Sequence, residues 1–260
     1  GDAIARTLEQ YHVEAIYGVI SIHNLPIADA VGQREKIRFV PARGEAGSVT
    51  MADAHGRFSG LGVGLTSTGA GAGNAVGALV EAMNAGTPLL HLTGQVEKAW
   101  LDADTGFIHE TRDQLTFLKA SSKRAYRISN ANQAVAILHK AIQEAQTPPC
   151  GPVSVEIPID IQSAKIPLSL LTAPLKRAPA VEPEASLVDA LWAQLKQAKQ
   201  PLLWLGGGAL ESGEAVKTLA DAGVTVISST HGRGILADSH RASLRAFHTS
   251  PSVEALISQC

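Results

Sequence analysis

The sequence predicts a doubly wound α/β fold with a mostly parallel sheet, followed by the start of a second, Rossmann-like α/β domain. Short apolar runs alternate with stretches of helical periodicity through residues 1–165. The apolar runs have no polar face, which is typical of parallel strands covered by helices on both sides. Because the connections are short and crossovers are right-handed, this alternation places helices on both faces of one sheet.

The elements of this first part follow from local patterns. Apolar runs bounded by turn residues predict strands at residues 15–20, 37–40, 62–66, 88–93 and 152–157. Apolar residues at helical spacing predict helices at about residues 3–12, 45–58, 74–85 and 132–145. Strands and helices therefore alternate in the order that a parallel sheet requires.

A proline-rich segment divides the chain. Prolines at positions 167, 174, 179 and 183 interrupt any helical or strand period, which predicts a linker over residues 166–186. The alternation then resumes over residues 187–260, with helices predicted at 187–198 and 214–222 and strands at 201–205 and 224–228. The chain begins without Met inside a predicted helix and stops soon after residue 253, so we interpret it as a fragment whose second domain is incomplete.

Composition excludes several classes of function. The formal charge is −2, aromatic residues make up 4%, and the 22 basic residues are scattered, so a nucleic-acid partner is not expected. The sequence contains no apolar run of the roughly 20 residues that a membrane-spanning helix needs. Two cysteines are too few for a disulfide framework, which fits a cytoplasmic location.

Glu45 is the strongest candidate for a catalytic residue. It lies where the predicted strand 37–40 gives way to a helix rich in small residues. Open α/β sheets bind their ligands at such strand-to-helix junctions. The alternative is that Glu45 is an ordinary first-turn carboxylate stabilised by the helix dipole.

A glycine-rich segment, residues 67–74, follows the predicted strand 62–66 and opens a helix. Its backbone N–H groups are suited to an anion or a polar heterocycle. The spacing G-x-G-x-G, with no carboxylate after the next strand, disfavours a dinucleotide, and no Walker A lysine follows. The alternative is that the glycines only allow close packing. A nucleophile elbow and a metal-binding histidine pair are also missing from the sequence.

Taken in order, the motifs resemble the thiamine diphosphate enzymes of the acetolactate synthase, benzoylformate decarboxylase and pyruvate decarboxylase type. The resemblance is collinear over nearly the whole chain and is carried by residues 17–19 with 24–26, 43–47 with 51–53, 68–74, 93–95, 107–114, 151–153 with 157–158, and 201–208. Each motif alone is weak, and their order and spacing carry the assignment.

The resemblance implies an organisation and a set of cofactors. Residues 1–165 would bind the aminopyrimidine ring of thiamine diphosphate, and residues 187–260 would open the central domain. Magnesium and the diphosphate would be held by a third domain whose motif does not occur in this sequence. A homodimer or homotetramer with the cofactor between subunits is implied, and whether FAD is also bound stays open.

The resemblance also implies roles for single residues. Glu45 would share a proton with ring nitrogen N1′ and so assist formation of the ylid that attacks a 2-oxo acid. Ser21, Thr68 and Asn74 would contact the cofactor. His23, Phe107 and His109 lie in loops that border the reaction centre in relatives and are candidates for substrate contact; for the histidines a structural role is the alternative.

The sequence departs from the family pattern in two motifs that bear on substrate identity. Ile20-Ser21 stands where many relatives have Pro-Gly, and Ser67 stands where benzoylformate decarboxylases have an active-site histidine. We therefore predict a thiamine diphosphate-dependent decarboxylase or carboligase without naming its substrate, and we expect residues 1–260 alone to be inactive. The alternative is a non-catalytic binding or assembly module that keeps the fold and lacks the diphosphate anchor.

Overall fold

The computed structural model describes residues 1–176 and 181–260. The chain divides into two compact units, residues 1–178 and residues 179–260, and the division falls within the predicted linker. Each unit is described by itself.

A parallel six-stranded sheet forms the centre of the first unit, with strand order β2-β1-β3-β4-β6-β5. Every neighbouring pair runs parallel. The central strands β3, β4 and β6 are buried along their whole length, as the apolar runs predicted. The strands are β1 (Ala15–Gly18), β2 (Arg38–Pro41), β3 (Gly62–Thr66), β4 (Leu89–Gln95), β5 (Arg124–Arg127) and β6 (Pro152–Pro158).

Helices cover both faces of this sheet, which confirms the predicted doubly wound α/β class. The helices are α1 (Asp2–Gln10), α2 (Leu25–Gly32), α3 (Glu45–Ser59), α4 (Ala70–Ala85), α5 (Gln114–Ser121), α6 (Ala134–Gln146) and the short α7 (Ile159–Ser163). Apolar residues of α1, α2 and α6 pack into one core cluster. Those of α3, α4 and α5 pack into a second cluster that contains Val49, Leu79 and Leu118.

Several predicted boundaries were wrong. Helix α4 begins at Ala70 rather than at residue 74, although glycine disfavours helices. Gly71 and Ala72 are buried in its first turn, because small residues let the helix approach its neighbours closely. Strand β1 ends at Gly18, and β2 is shifted by one residue so that it includes Pro41, which an edge strand tolerates. Strand β5 was not predicted because its sequence, Arg-Ala-Tyr-Arg, has no apolar run.

The order of the strands fixes where a ligand can bind. In the sheet, β2 lies on one side of β1 and β3 lies on the other. The chain passes from β1 to β2 and then crosses over β1 to reach β3. The carboxyl ends of β1 and β3 therefore flank the point where the direction of winding changes, and open α/β sheets bind ligands in the crevice at such a point. The segments that follow β1 and β3 contain most of the predicted site residues.

The second unit contains helix α8 (Ala185–Gln197), strand β7 (Leu202–Leu205), helix α9 (Gly213–Asp221), strand β8 (Thr225–Ser228) and helix α10 (Pro251–Ile257). Strands β7 and β8 pair in parallel. Apolar residues of these strands and of α9 form the core of the unit, which includes Leu205, Val216, Ala220 and Val226. The helices and strands predicted for residues 187–228 are all present within two residues of their predicted bounds, and α10 was not predicted. Among the residues that the structure describes, no helix has the length and apolar character needed to cross a membrane.

Candidate functional site

The loop after β1 is fixed by a buried asparagine. The amide nitrogen of Asn24 donates to the carbonyl oxygens of Val19, at 2.9 Å, and Thr66, at 3.0 Å. Its side-chain oxygen accepts the N–H of Ser21 at 2.8 Å. Asn24 is fully buried and makes three hydrogen bonds, so it joins the loop after β1 to the end of β3. The crevice between the two strands is thereby held in one shape.

The glycine-rich segment forms a tight turn between β3 and α4. Gly69 lies in the left-handed region, with φ of 55°, and a Cβ atom there would overlap the carbonyl group of His109. Only glycine combines this conformation with so close an approach of two backbones. The turn therefore brings the segment around residue 109 directly against the start of α4.

Glu45 lies beside this turn, as the first residue of α3 after the extended Gly44. Its Oε1 oxygen is 2.7 Å from the place that a Cβ atom on Gly71 would occupy. Glu45 is half-buried, and its carboxylate makes no hydrogen bond or ion pair within the described residues. A carboxyl group placed in this way can exchange a proton with a bound ligand, because no protein group competes for it.

Two histidines meet at the same edge of the sheet. The rings of His23 and His109 are 5.9 Å apart in an edge-to-face arrangement. His23 is 2% exposed, and its Nδ1 has no hydrogen-bond partner among the described residues. Burial, together with the neighbouring His109, lowers the pKa of His23, which favours a neutral ring. A buried ring nitrogen without a partner is a feature that a bound ligand would explain.

The segment between β4 and α5 carries His109 and Phe107. The carboxylate of Glu110 accepts the backbone N–H groups of Asp104 at 2.8 Å, Thr105 at 3.1 Å and Phe107 at 2.8 Å. These bonds lower the pKa of Glu110, with the bond from Phe107 as the largest cause. The ring of Phe107 stacks on Trp100 with centroids 5.6 Å apart.

The remaining predicted residues occupy different positions. Ser21 uses its backbone N–H to bond Asn24. Thr68 is fully buried, and its hydroxyl group lies 2.9 Å from the side-chain oxygens of both Gln95 and Gln114. Asn74 is exposed on α4, one turn after Gly71. The structure therefore brings Glu45, His23, His109 and the glycine turn to one edge, with Thr68 beneath the turn.

Two buried polar residues next to the site were not identified from the sequence. Gln114 and Glu156 are both fully buried, and the Nε2 atom of Gln114 donates to the Oε2 atom of Glu156 at 3.0 Å. A glutamate in the middle of the apolar run Pro152–Pro158 was the available signal, because a buried carboxylate requires a partner. The described residues contain no group of three or more His, Cys, Asp or Glu side chains that could hold a metal ion.

Comparisons with known proteins identify a matching family and similar sequences. Residues 1–117 match a protein family described as thiamine pyrophosphate enzyme, N-terminal TPP binding domain. The chain is 30% identical over 244 residues to the large subunit of acetolactate synthase isozyme 1 of Escherichia coli, covering 93% of this chain and 43% of that protein. It is 29% identical over 238 residues to a "Probable 2-ketoarginine decarboxylase" of Pseudomonas aeruginosa, covering 91% of this chain and 42% of that protein.

A solved structure shares the fold. The Rhodococcus jostii thiamine diphosphate-dependent 4-hydroxybenzoylformate decarboxylase superposes with a TM-score of 0.83 at 22% identity, over 93% of this chain and 46% of that one. The chain spans less than half the length of each of these three proteins. The match over residues 1–117 and the similar acetolactate synthase and decarboxylase sequences support a thiamine pyrophosphate-dependent enzyme family for this chain.

Proposed function

We propose that this chain is the amino-terminal part of a thiamine diphosphate-dependent decarboxylase or carboligase that acts on a 2-oxo acid. The observation that carries the proposal is the carboxylate of Glu45, which lies against Gly71 at the switch point of the sheet and has no partner within the described residues. The names of the similar acetolactate synthases and decarboxylases point to the same chemistry.

The residues at this edge suit an aminopyrimidine ring. In the proposed reaction Glu45 holds a proton and exchanges it with the ring nitrogen N1′, a task that glutamine cannot perform. The buried Nδ1 of His23 makes no hydrogen bond within the described residues, and we assign it with His109 to the 2-oxo acid. When bound, the thiazolium ring of thiamine diphosphate supplies the electron sink that loss of carbon dioxide requires.

The domain assignment and the assembly belong to the same proposal. Residues 1–165 form the aminopyrimidine-binding domain, residues 166–186 the linker, and residues 187–260 the beginning of the central domain. Ser21, Thr68 and Asn74 contribute to the cofactor side of the site, and Phe107 to the substrate side. Magnesium and the diphosphate are bound by a part of the complete protein outside these residues, in a homodimer or homotetramer with the cofactor between subunits.

Exchange of the C2 proton of bound thiamine diphosphate tests the proposal. We expect Glu45→Gln in the complete protein to abolish this exchange while binding of the cofactor persists, because the amide cannot take up or release the proton. Glu14→Gln is the matched control, since Glu14 is exposed just before β1, at the opposite edge of the sheet. Exchange that continues in Glu45→Gln would refute the role of Glu45. Binding without exchange in the wild-type protein would favour a non-catalytic module.

A further inference from the structure

A buried cluster of polar side chains lies directly beneath the glycine turn. It consists of Thr68, Gln95, Gln114, Glu156 and Arg127, and we call it the glutamine cluster. The first four residues are at most 2% exposed. Buried polar groups are stable only when their hydrogen-bonding capacity is used, so the way in which each member is satisfied determines the shape of the turn above.

Gln114 uses its whole amide group. Its side-chain oxygen accepts the backbone N–H of Gly69 at 2.7 Å and lies 2.9 Å from the hydroxyl of Thr68. Its nitrogen donates to the carbonyl oxygen of Gly94 at 3.0 Å and to Glu156 at 3.0 Å. Because the N–H of Gly69 can only donate and the oxygen of Gly94 can only accept, the orientation of the amide is fixed. The side chain of Gln114, the first residue of α5, thus links the glycine turn with β4 and β6.

Gln95 is oriented in the same way. Its side-chain oxygen accepts the backbone N–H of Val96 at 2.8 Å, and its nitrogen faces Glu156 at 3.5 Å. The hydroxyl of Thr68 has a single proton and two amide oxygens within reach, so it donates to one of them at a time. The side chain of Thr68 is therefore committed to the glutamine cluster.

Glu156 anchors the cluster through a charge. Its carboxylate is completely buried and forms an ion pair with Nε of Arg127, while its other oxygen accepts from Gln114. Burial raises the pKa of Glu156, and Arg127 opposes that effect. Arg127 also reaches Asp102 at 3.1 Å, on the segment that carries His109. The cluster therefore connects the glycine turn with the segment on the other side of the site.

The conformation of Gly69 depends on this support. In the left-handed region its N–H points down to Gln114, and the carbonyl group of His109 fills the space where a side chain would be. We propose that Gln114, held in place by Glu156, is a positioning residue that sets the glycine turn against Glu45 for binding of the aminopyrimidine ring. The part of this inference that concerns the ring rests on the function proposed above.

Hydrogen exchange and cofactor binding, measured on the complete protein, test the role of Gln114. Gln114→Met keeps the length of the side chain and removes its hydrogen bonds. We expect exchange of the amides of residues 67–69 to rise about tenfold, as the loss of one hydrogen bond implies, while exchange in β1 is unchanged. We also expect the dissociation constant of thiamine diphosphate to rise about tenfold, a larger change than that in kcat.

Gln146→Met is the matched control. Gln146 lies at the end of α6, and its amide donates to the carbonyl oxygen of Gly60 at 3.1 Å, which is outside the glutamine cluster. We expect both measurements to stay at their wild-type values in this variant. A general loss of stability would raise exchange in β1 as well, so local exchange separates a positioning role from a structural one. Equal results for the two variants would overturn the inference.

Swapping the side chains of Gln114 and Glu156 gives a second test that does not depend on the methionine variant. Gln114→Glu alone places two carboxylates in buried contact, and we expect residues 67–69 to lose their protection. Adding Glu156→Gln removes the second carboxylate, so we expect part of the protection to return in the double variant, in which the carbonyl oxygen of Gly94 still lacks its donor. Failure of the second substitution to restore protection would contradict the proposed pairing.

The outcomes separate this inference from the proposed function. If the wild-type protein fails to bind thiamine diphosphate while Gln114→Met still exposes residues 67–69, the proposed function is wrong and the control of the turn by Gln114 stands. If thiamine diphosphate binds equally well to wild type and Gln114→Met, the positioning role is wrong and the proposed function stands.

Discussion

The Oε1 oxygen of Glu45 lies 2.7 Å from the position that a methyl group on Gly71 would occupy. The same methyl group would lie 2.6 Å from Cβ of Ser67. Both separations are shorter than van der Waals contact, so any side chain at position 71 must displace the carboxylate. Gly71 therefore keeps open the space in which the carboxyl group of Glu45 sits.

We expect Gly71→Ala to reduce C2 proton exchange of bound thiamine diphosphate by about 100-fold, the effect of a displacement of about 1 Å at a reacting group. The carboxylate can rotate away, whereas Cβ of Ser67 moves only with the turn, so we expect a loss of stability of about 1–3 kcal/mol from overpacking. Gly77→Ala is the control, because a methyl group there meets no atom within 4 Å in this chain. Equal exchange in the two variants would show that the carboxylate has room to move without consequence.

The sequence predicted the fold and the position of Glu45 because both depend on local patterns. Buried parallel strands are continuous apolar runs, and the junction after β2 places Glu45 at the carboxyl edge of the sheet without any knowledge of distant contacts. The edge strand β5 was not predicted, since only its pairing with β6 makes Arg124–Arg127 a strand.

The glutamine cluster could not be predicted from the sequence, because its members lie far apart in the chain. The bond between Gln114 and Glu156 joins residues 42 positions apart, and the bond from Thr68 to Gln114 joins residues 46 positions apart. Periodicity in a short window contains no information on such pairs. The contact of His23 with His109 has the same origin, since two different loops provide the rings.

Asn24 should contribute strongly to stability. Its replacement by alanine removes three hydrogen bonds and leaves the carbonyl oxygens of Val19 and Thr66 without this donor. We expect Asn24→Ala to lower the free energy of unfolding by about 2–4 kcal/mol, measured by urea denaturation of the complete protein. Asn132→Ala is the control, because Asn132 is exposed and its side chain makes no hydrogen bond within the described residues. If both variants unfold at the same urea concentration, the first loop is not held by Asn24.

His91 predicts a specific dependence of stability on pH. It is completely buried between Thr66 and Ser154, each 2.9 Å from a ring nitrogen, and burial lowers its pKa to about 3. The unfolded chain takes up a proton below pH 6.5 and the folded chain does not. The stabilising effect is therefore complete above pH 6.5 and is lost as the pH falls toward 3.

Between pH 6.5 and pH 5 the contribution of His91 amounts to about 2 kcal/mol, at about 1.4 kcal/mol per pH unit. In the wild type the free energy of unfolding falls as the pH is lowered over this range. We expect this fall to be smaller by that amount in His91→Gln. Other groups with shifted pKa values, such as His23 and Glu156, are present in both proteins, so the difference isolates His91. Identical slopes for wild type and His91→Gln would mean that His91 accepts a proton in the folded protein.

We expect His23 to lower the stability of the ligand-free protein and to contribute to binding of the 2-oxo acid. Its buried Nδ1 has no partner among the described residues, and an unsatisfied buried polar atom costs about 1–3 kcal/mol. We therefore expect His23→Leu to leave the thermal midpoint of the ligand-free protein unchanged or higher. In the same variant we expect kcat/KM for the preferred 2-oxo acid to fall about tenfold, because one hydrogen bond to the substrate is lost.

The matched control for this variant lies in the second unit. His248 also has a buried Nδ1 without a partner in the described part of the chain, and its ring lies 5.7 Å from that of Trp204. His248→Leu should resemble His23→Leu in thermal stability and keep wild-type kcat/KM. A lower thermal midpoint in His23→Leu with unchanged kcat/KM would assign His23 to the structure alone, since a residue that serves only the fold affects stability and leaves substrate binding intact.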